Sequence, residues 1–238
     1  MKITILTLFP EMFTGPFDTS IIRRARDNDT VRIDFVNIRD FSVDRHKSVD
    51  DRPYGGGRGM ILRVDVVDRA LESVKKSAKS QIHTVLLDPQ GTTFTQSHAR
   101  RLAKKKDLVL LCGHYEGVDE RVRSLVDEQI SIGDYVLTGG EIPALVIADS
   151  VVRLLPGVLS QDARNDESFS DTRNYGLEYP HFTRPPIYQG MKVPDILLSG
   201  NHADIERWRD AESEKRTVMA RTGRSLHLKK EPRKKPRR

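Results

Sequence analysis

Two glycine-bearing turns have the residue types and positions expected at a ligand-binding site. Each follows a predicted strand: Gly113–Gly117 comes after Asp107–Cys112, and Gly139–Gly140 comes after Asp134–Thr138. Glycine at such a turn lets backbone N–H and C=O groups approach a flat ligand without a Cβ in the way. Either turn alone is better explained as a simple chain reversal, but the pair indicates a binding site. The first turn also carries side chains suited to a ligand: Tyr115, Glu116 and Asp119.

A parallel sheet would bring these two turns together. A helix is predicted between the two strands, over Val118–Asp127, and the order strand, turn, helix, strand is typical of parallel pairing. Ligands of such sheets bind beyond the carboxyl ends of the strands, and both glycine turns fall at those ends. We therefore expect a single ligand site formed from both turns.

The same alternation of strand and helix patterns runs through residues 1–140 and predicts an α/β fold with about six strands. The other predicted strands include Ile3–Phe9, Val31–Phe35 and Ile82–Asp88, the last followed by a turn at Asp88–Gly91. Predicted helices lie around Ile21–Arg26, Val67–Ala78, Thr95–Lys105 and Glu141–Leu155.

A long glycine-rich segment, Asp40–Met60, has little periodicity and carries four glycines within Gly55–Gly59. It is not a phosphate loop, because the Gly-Lys-Ser/Thr ending of a Walker motif is absent and no G-x-G-x-x-G opens a helix after a strand. One interpretation is a mobile surface loop. The other is a loop that closes over a substrate, which the neighbouring side chains favour. These are Asp50, Asp51, Arg52 and Tyr54.

The composition, with 37% hydrophobic and 31% charged residues, is typical of a soluble globular protein. The apolar run near the N-terminus is too short for a signal-peptide core, and no segment is long and apolar enough to span a membrane. The single cysteine, Cys112, excludes an internal disulfide, and no two of the seven histidines have a ligand-like spacing, so no zinc site is expected. These features predict a cytoplasmic protein.

The net charge of +6 is concentrated at the C-terminus. Residues 221–238 carry nine Lys and Arg against one acid, Glu231, so the rest of the chain is slightly acidic. A basic arm favours contact with nucleic acid through counterion release. A solvated chain end has the same composition, and composition alone does not decide between the two.

The pattern changes after Pro156 and Gly157. The following segment, Leu159–Asn174, is polar with few apolar residues, which predicts a flexible linker that could carry catalytic groups ordered by a partner. From Asn201 a helical pattern continues towards Arg221, and this C-terminal part shows no strand pattern. A small helical unit is therefore expected after the linker.

Several motifs occur together in an order and spacing characteristic of one family. They are VDDRPYGGGRGM, CGHYEGVDERV, SIGDYVLTGGE, RLLPGVLS, HFTRPP and LLSGNH. From about Met1 to Arg224 the chain closely resembles the bacterial tRNA guanine-N1 methyltransferases, members of the knotted SPOUT class of S-adenosylmethionine-dependent enzymes. Several long motifs in register are far more specific than one glycine turn.

The resemblance implies an α/β fold whose parallel sheet contains a deep trefoil knot, followed by a small helical C-terminal domain. The implied divisions are a cofactor domain at 1–160, a flexible linker at 161–174, a helical tRNA-binding domain at 175–224 and a basic tail at 225–238. The partner would be tRNA, methylated at N1 of the guanosine immediately 3′ of the anticodon. Two subunits would pair, so that each active site uses the knot of one chain and the linker and C-terminal domain of the other.

The resemblance also assigns site residues by matching motifs. The S-adenosylmethionine site would be lined by Leu87, Pro89, Gly113, Tyr115, Glu116, Gly117, Ile132, Gly133, Asp134, Tyr135, Val136, Leu137, Gly139 and Gly140. The target nucleotide would contact Asp50, Arg52, Tyr54, Gly55, Gly56 and Gly57. A magnesium ion near Glu116 is a family trait on which the sequence does not decide.

The implied reaction needs a base and a cation. Guanine N1 carries a proton at neutral pH, so its methylation requires a general base, and the charge that develops on O6 calls for a cationic partner. Arg153 matches the family arginine, and its place in the last turn of a helix also suits the helix dipole. The family shows an aspartate directly before Ser-Phe, where this chain has Glu167 with Asp166 beside it. Either acid could reach N1, and Glu167 is favoured by its position.

Three hypotheses are compatible with these residues. The first is a guanine-N1 methyltransferase, and the second is a knotted methyltransferase that acts on a ribose 2′-hydroxyl. The third is a basic-tailed RNA-binding protein without catalysis. Arg153, the nearby acids, the two glycine turns and the turn at Asp88–Gly91 argue against the third, because a pure binder needs no carboxylate beside a phosphate-rich ligand.

Overall fold

The structure is a computed structural model that describes residues 1–222, and these residues fall into two compact units. The first unit is Met1–Leu159, and the second begins at Ser160. The basic tail at 225–238 lies outside the described residues. Among the described helices, none combines the length and apolar character needed to cross a lipid bilayer.

The first unit is built around one parallel sheet. Its strands are β1 (Lys2–Thr7), β2 (Arg32–Asn37), β3 (Asp50–Asp51), β4 (Ile61–Leu62), β5 (Ile82–Thr93), β6 (Asp107–Cys112) and β7 (Glu128–Ser131). Its helices are α1 (Ser20–Asp27), α2 (Val64–Ser77), α3 (Gln96–Leu102) and α4 (Glu141–Val152). The five long strands pair in the order β2-β1-β6-β5-β7, all parallel, and the short β3 and β4 form a separate antiparallel pair.

Apolar side chains cover both faces of the sheet, which explains why its central strands are continuous apolar runs rather than alternating ones. Successive residues of β1 point to opposite faces: Ile5 packs in a cluster with Ile147 of α4, and Leu6 packs in a second cluster with Leu71 of α2. Burial of each such side chain contributes roughly 1.5–3 kcal/mol. The two clusters hold the carboxyl ends of the strands, and the bends that follow them, in fixed positions.

Two predicted elements beside the glycine turns are wrong. The segment Asp134–Thr138 is not a strand; the strand lies just upstream, at Glu128–Ser131. The apolar side chains of Tyr135 and Val136 produced the strand pattern, yet they are 55% and 86% exposed. The predicted helix at Val118–Asp127 is only a 3₁₀ helix at Glu120–Leu125.

The predicted strand at Ile82–Asp88 is longer than expected. β5 continues through the predicted turn at Asp88–Gly91 as far as Thr93, and its pairing with β7 shifts register between Leu87 and Thr92. Because a register shift of this kind kinks a strand, the bend expected from Pro89 and Gly91 is present within the strand. The large sheet therefore has five strands rather than about six.

The other predicted helices of the first unit are present. α1 covers the predicted positions, α2 ends one residue early at Ser77, and α3 and α4 end at Leu102 and Val152, earlier than predicted. Differences of this size at helix ends are expected, because the apolar pattern locates a helix better than its last turn.

The second unit contains α5 (Gln161–Asn165), β8 (Ile187–Tyr188), β9 (Met191–Lys192) and α6 (His202–Arg221). Asn201 caps α6 as predicted, since its side chain accepts a hydrogen bond from the Asp204 N–H. Ahead of that helix, β8 and β9 form a short hairpin that was not predicted; its turn residues, Gln189 and Gly190, both have positive φ. Such a two-residue turn matches the twist of the flanking strands.

The segment predicted as a flexible linker, 161–174, contains α5 and a 3₁₀ helix at Asp171–Arg173. Its polar side chains form hydrogen bonds with one another, for example Ser170 with Thr172 and Arg173 with Asp166. Composition did not reveal this order, because polar residues in a disordered segment and in a hydrogen-bonded one look alike in sequence.

Candidate active site

Three bends at the carboxyl edge of the sheet line one cavity of about 230 Å³. The first bend lies within β5, at residues 87–91. The second follows β6, at residues 113–117, and the third lies between β7 and α4, at residues 132–140. The lining residues are Leu87, Asp88, Pro89, Gln90, Gly113, His114, Tyr115, Glu116, Gly117, Ile130, Ser131, Ile132, Gly133, Tyr135, Val136, Leu137, Thr138, Gly139, Gly140 and Pro143. The structure thus brings both glycine turns together at the edge where parallel sheets bind ligands.

All but one of the residues expected to hold the cofactor line this cavity. Asp134 does not, although both of its neighbours do. The lining residues that sequence reasoning missed are Asp88, Gln90, His114, Ile130, Ser131, Thr138 and Pro143. Most of them lie within or directly beside the predicted bends, so adjacency in sequence was the signal that could have found them.

The glycines let the three bends touch through their backbones. A Cβ on Gly140 would lie 2.7 Å from the Cys112 Cα and 2.9 Å from the Gly113 nitrogen. The Gly140 N–H donates to the Gly113 carbonyl over 2.8 Å. A Cβ on Gly113 would in turn lie 3.3 Å from the carbonyl oxygen of Leu87. Any side chain at Gly140 would therefore push the second and third bends apart.

The second bend contains a strained residue. Tyr115 has a φ of 61°, which side-chain-bearing residues rarely adopt, and its side chain is 41% exposed. Its ring meets the His114 ring edge-on, with centroids 4.9 Å apart. Backbone strain of this kind costs about 1–3 kcal/mol and is concentrated at ligand-binding and active sites. The geometry at Tyr115 is consistent with such a site.

The first bend is held by a partly buried ion pair. One Asp88 carboxylate oxygen lies 3.3 Å from Arg123, and the other accepts a hydrogen bond from the Gln90 N–H over 2.7 Å. Arg123 also donates to Glu120 over 2.8 Å. Since the Asp88 and Arg123 side chains are only 10% and 15% exposed, this pair ties the bend to the 3₁₀ helix at Glu120–Leu125.

The glycine-rich loop is joined to the second bend. The Glu116 N–H donates to the Met60 carbonyl over 3.1 Å, and the Leu62 N–H donates to the Gly117 carbonyl over 3.0 Å. Gly59 has a φ of 77°, and a Cβ there would overlap the Glu116 side chain. The loop predicted to contact substrate is therefore directly coupled to a residue of the cavity.

The predicted substrate-contacting residues lie in this loop and not in the cavity lining. Asp50 belongs to β3, Arg52 is exposed, and Tyr54 is fully exposed. Gly55, Gly56 and Gly57 all have positive φ. An exposed tyrosine beside three conformationally permissive glycines suits a loop that contacts a large partner.

Substitution of Gly59 by alanine should weaken binding of S-adenosylmethionine, the cofactor that the motif resemblance implies, by roughly tenfold, because the new methyl group displaces Glu116 and the backbone is strained. Calorimetric titration of S-adenosylmethionine measures this. Gly55→Ala is the matched control: Gly55 has a similar φ of 81°, but nothing lies within 4 Å of an added Cβ. Equal decreases in affinity in the two variants would show that contact between Gly59 and Glu116 has no role.

Arg153 lies at the other end of α4 from the cavity. It is the C-terminal cap of the helix, half-buried, and its N–H donates to the Asp149 carbonyl over 3.1 Å. The helix begins beside Gly140 and rises 1.5 Å per residue, so Arg153 is roughly 20 Å from that end of the cavity. The structure therefore does not bring Arg153 into the cavity of its own chain.

The two candidate acids have different surroundings in the second unit. Asp166 forms an ion pair with Arg173 and accepts a hydrogen bond from the Tyr179 hydroxyl over 3.1 Å. Burial alone would raise the pKa of Asp166, but the hydrogen bonds from Arg173 and Tyr179 outweigh it and hold the pKa below its ordinary value. Arg173 and Arg209 both stack on the Tyr179 ring at 4.8 Å. Asp166 thus belongs to a hydrogen-bonded cluster although its side chain is 57% exposed, and Glu167 is half-buried.

Within residues 1–222, no group of three or more His, Cys, Asp and Glu side chains is arranged to hold a metal ion. Asp119, the carboxylate nearest in sequence to Glu116, is paired with Arg121 over 2.7 Å. That pairing lowers the pKa of Asp119. The residues around Glu116 do not make a magnesium site by themselves.

The fold is that of an α/β protein with a parallel sheet, and three backbone bends line a cavity at the carboxyl edge of that sheet. The family model described as tRNA (Guanine-1)-methyltransferase TrmD matches residues 1–226. The chain therefore belongs to the tRNA (guanine-1)-methyltransferase family, and the resemblance seen in its motifs is confirmed.

Similar proteins from several bacteria carry the name tRNA (guanine-N(1)-)-methyltransferase. The protein from Dehalococcoides mccartyi is 54% identical over 223 residues, which covers 93% of this chain and 89% of the relative. The Carboxydothermus hydrogenoformans protein is 52% identical, with coverage of 93% and 86%. The Bacillus subtilis protein is 53% identical, with coverage of 93% and 90%. The likeness thus extends over nearly the whole length of each protein.

Proposed function

We propose that this enzyme transfers a methyl group from S-adenosylmethionine to N1 of guanine in tRNA, at the guanosine immediately 3′ of the anticodon. The observation that carries the proposal is the single cavity formed by three backbone bends in a member of this family. We also propose that the enzyme is cytoplasmic, because its tRNA substrate is used in that compartment.

The residues present fit S-adenosylmethionine. The glycines at 113, 139 and 140 let the three bends pack closely enough to form one cradle, and Leu87, Ile132 and Leu137 offer apolar contacts for a flat adenine. When bound, S-adenosylmethionine supplies an electrophilic methyl group. The three bends would orient that methyl group towards the target base and keep water from it.

Glu167 would act as the general base. Its carboxylate would accept the proton of guanine N1 as the new bond forms, which leaves negative charge on O6. The Arg153 guanidinium would stabilise that charge. Asp166 is less suited to be the base, because hydrogen bonds from Arg173 and Tyr179 hold its pKa below the ordinary value and so make it a weaker proton acceptor. We assign Asp166 the role of holding the segment that carries Glu167.

We further propose that the active enzyme is a homodimer. Arg153 is roughly 20 Å along α4 from its own cavity, so it would serve the cavity of a second chain. An apolar patch on the first unit, which includes part of α4, remains uncovered in the single chain. The patch consists of Tyr135, Val136, Leu137, Ile142 and Val146, each at least 39% exposed. Patches of this kind mark interfaces between chains.

The proposal includes a deep trefoil knot in the first unit and a tRNA-binding role for the C-terminal domain, 175–224. The knot is proposed on the strength of the family likeness. No step is assigned to magnesium, since the residues near Glu116 do not form a site for it.

Mass spectrometry of nucleosides from tRNA incubated with the protein and S-adenosylmethionine tests the proposed function. The expected product is 1-methylguanosine. A 2′-O-methylated nucleoside would instead identify a ribose methyltransferase, and the absence of any methylated product would leave only RNA binding. Unmodified transcripts that differ only at the base 3′ of the anticodon provide the control for position.

Removal of the basic tail should weaken tRNA binding and flatten its salt dependence. Residues 225–238 carry seven Lys and Arg, and each phosphate that the shortened protein no longer neutralises should reduce the slope of log K against log salt by about 0.9. Filter binding at several salt concentrations measures the slope. An unchanged slope would show that the tail is simply a solvated chain end.

A further inference from the structure

A buried acid joins elements that meet behind the cavity. Glu141, the first residue of α4, is 1% exposed, and its Oε1 accepts a hydrogen bond from the Thr7 hydroxyl of β1 over 2.7 Å. The same hydroxyl oxygen accepts a hydrogen bond from the Phe9 N–H over 2.9 Å. Because Thr7 has a single hydroxyl proton and its oxygen is already an acceptor, that proton is committed to Glu141.

The second oxygen of Glu141 faces His114, a residue of the cavity lining. Glu141 Oε2 lies 3.9 Å from His114 Nδ1. This nitrogen is buried and has no hydrogen-bond partner among the described residues. An N–H···O hydrogen bond spans about 2.9 Å, so about 1 Å of side-chain movement would complete it. A buried nitrogen left unpaired is costly, which favours that contact.

Because Gly139 has no side chain, the space between His114 and Glu141 is free for these two side chains to approach each other. A Cβ there would lie 2.6 Å from His114 Nδ1 and would overlap Glu141 Oε2. The backbones of Gly139 and His114 also form a bridge between the third and second bends. The positions of Glu141 and His114 are therefore tied directly to the spacing of two walls of the cavity.

Cys112 is the other titratable group that faces Glu141. Burial, and after it the charge of Glu141, raises the pKa of the Cys112 thiol well above its ordinary value. The thiol therefore stays neutral and places no second negative charge beside Glu141. The helix dipole of α4 favours a carboxylate at this first position. Thr7 and His114 remain as the polar partners of Glu141 within the described residues.

We propose that Glu141 is a positioning residue for the cofactor cavity: its carboxylate keeps a proton on His114 Nδ1 and so fixes the imidazole and the second bend. The role rests on the proposed function, because the cavity it shapes is the one assigned to S-adenosylmethionine. Glu141 itself touches no reacting atom. Removal of its charge should loosen the packing of the second bend on the third without altering the chemical step.

The test uses ¹⁵N NMR of the histidine rings in the full-length protein, with His114→Asn to assign the signal. In the wild type Nδ1 should carry a proton. In Glu141→Gln, which keeps the side-chain shape, Nδ1 should lose its preference for the proton. The KM for S-adenosylmethionine should rise roughly five- to tenfold with little change in kcat, as expected when one buried hydrogen bond is removed.

Substitutions of Thr7 provide an independent check should Glu141→Gln not fold. Thr7→Val keeps the shape but removes the hydroxyl that anchors Glu141, and it should shift the His114 signal in the same direction. Thr7→Ser restores the hydroxyl and should restore the signal. A merely structural role would lower the melting temperature in these variants without moving the ring signal.

The proposal is overturned if Nδ1 is unprotonated in the wild type, or if the His114 signal is the same in wild type, Glu141→Gln and Thr7→Val. These outcomes do not depend on methyl transfer. Failure of the wild type to bind S-adenosylmethionine would instead contradict the proposed function, and the ring signal would still report on the contact between Glu141 and His114.

Discussion

Replacement of Glu167 by glutamine should reduce the rate of methyl transfer by roughly 10²–10⁴-fold and leave cofactor affinity unchanged. Glutamine has the same shape but cannot accept the guanine N1 proton, so the nucleophilic nitrogen is not generated. Single-turnover transfer from methyl-labelled S-adenosylmethionine to tRNA measures the chemical step directly. Titration of the cofactor in the absence of tRNA gives the affinity.

Asp166→Asn is the matched comparison, because it alters the adjacent acid by the same chemistry. Asp166 is paired with Arg173 and bonded to Tyr179, so its replacement should lower the melting temperature of the second unit. Below that temperature the single-turnover rate should fall much less than in Glu167→Gln. A larger decrease in rate in Asp166→Asn would mean that the base has been assigned to the wrong carboxylate.

Replacement of Arg153 by alanine should reduce kcat by roughly 10²–10³-fold, the usual effect of removing one donor to a developing oxyanion. The KM for S-adenosylmethionine should not change, because the proposed role of Arg153 is to contact guanine O6 and not the cofactor. Arg153→Lys keeps the charge but not the planar pair of donors, so it should recover only part of the rate. A large decrease in cofactor affinity in Arg153→Ala would show that the arginine has been misplaced.

Mixing two inactive variants tests whether Arg153 serves a partner's cavity. A heterodimer of Arg153→Ala with Gly140→Val contains one intact cavity and one intact arginine on different chains. If the active site is shared between chains, this mixture should regain activity that neither variant has alone. Activity that stays at the level of the separate variants would contradict the shared site.

The sequence was sufficient to predict where the bends lie, because glycine and proline impose local backbone geometry that does not depend on distant contacts. It was not sufficient to distinguish a strand from an exposed apolar segment. Tyr135, Val136 and Leu137 form an apolar run as a strand would, yet they lie at the surface and line the cavity. Periodicity reports which side chains are apolar and not what covers them.

The contacts that decide roles were beyond prediction for a different reason. Thr7 and Glu141 are 134 positions apart in the chain, and no spacing rule connects a threonine at the end of one strand to the first residue of a distant helix. Asp166 and Glu167 are adjacent and chemically alike, so sequence left both as candidate bases. What distinguishes Asp166 is its pairing with Arg173 and its hydrogen bond from Tyr179, and the positions of these two residues follow from the fold of the second unit.

Hydrogen–deuterium exchange of the intact protein with and without S-adenosylmethionine tests the central claim most directly. The cofactor should slow exchange in all three bends together, at residues 87–91, 113–117 and 132–140, since each supplies backbone to one cradle. Protection confined to a single bend, protection at an unrelated surface, or no protection at saturating cofactor would contradict the assignment of this cavity to the methyl donor.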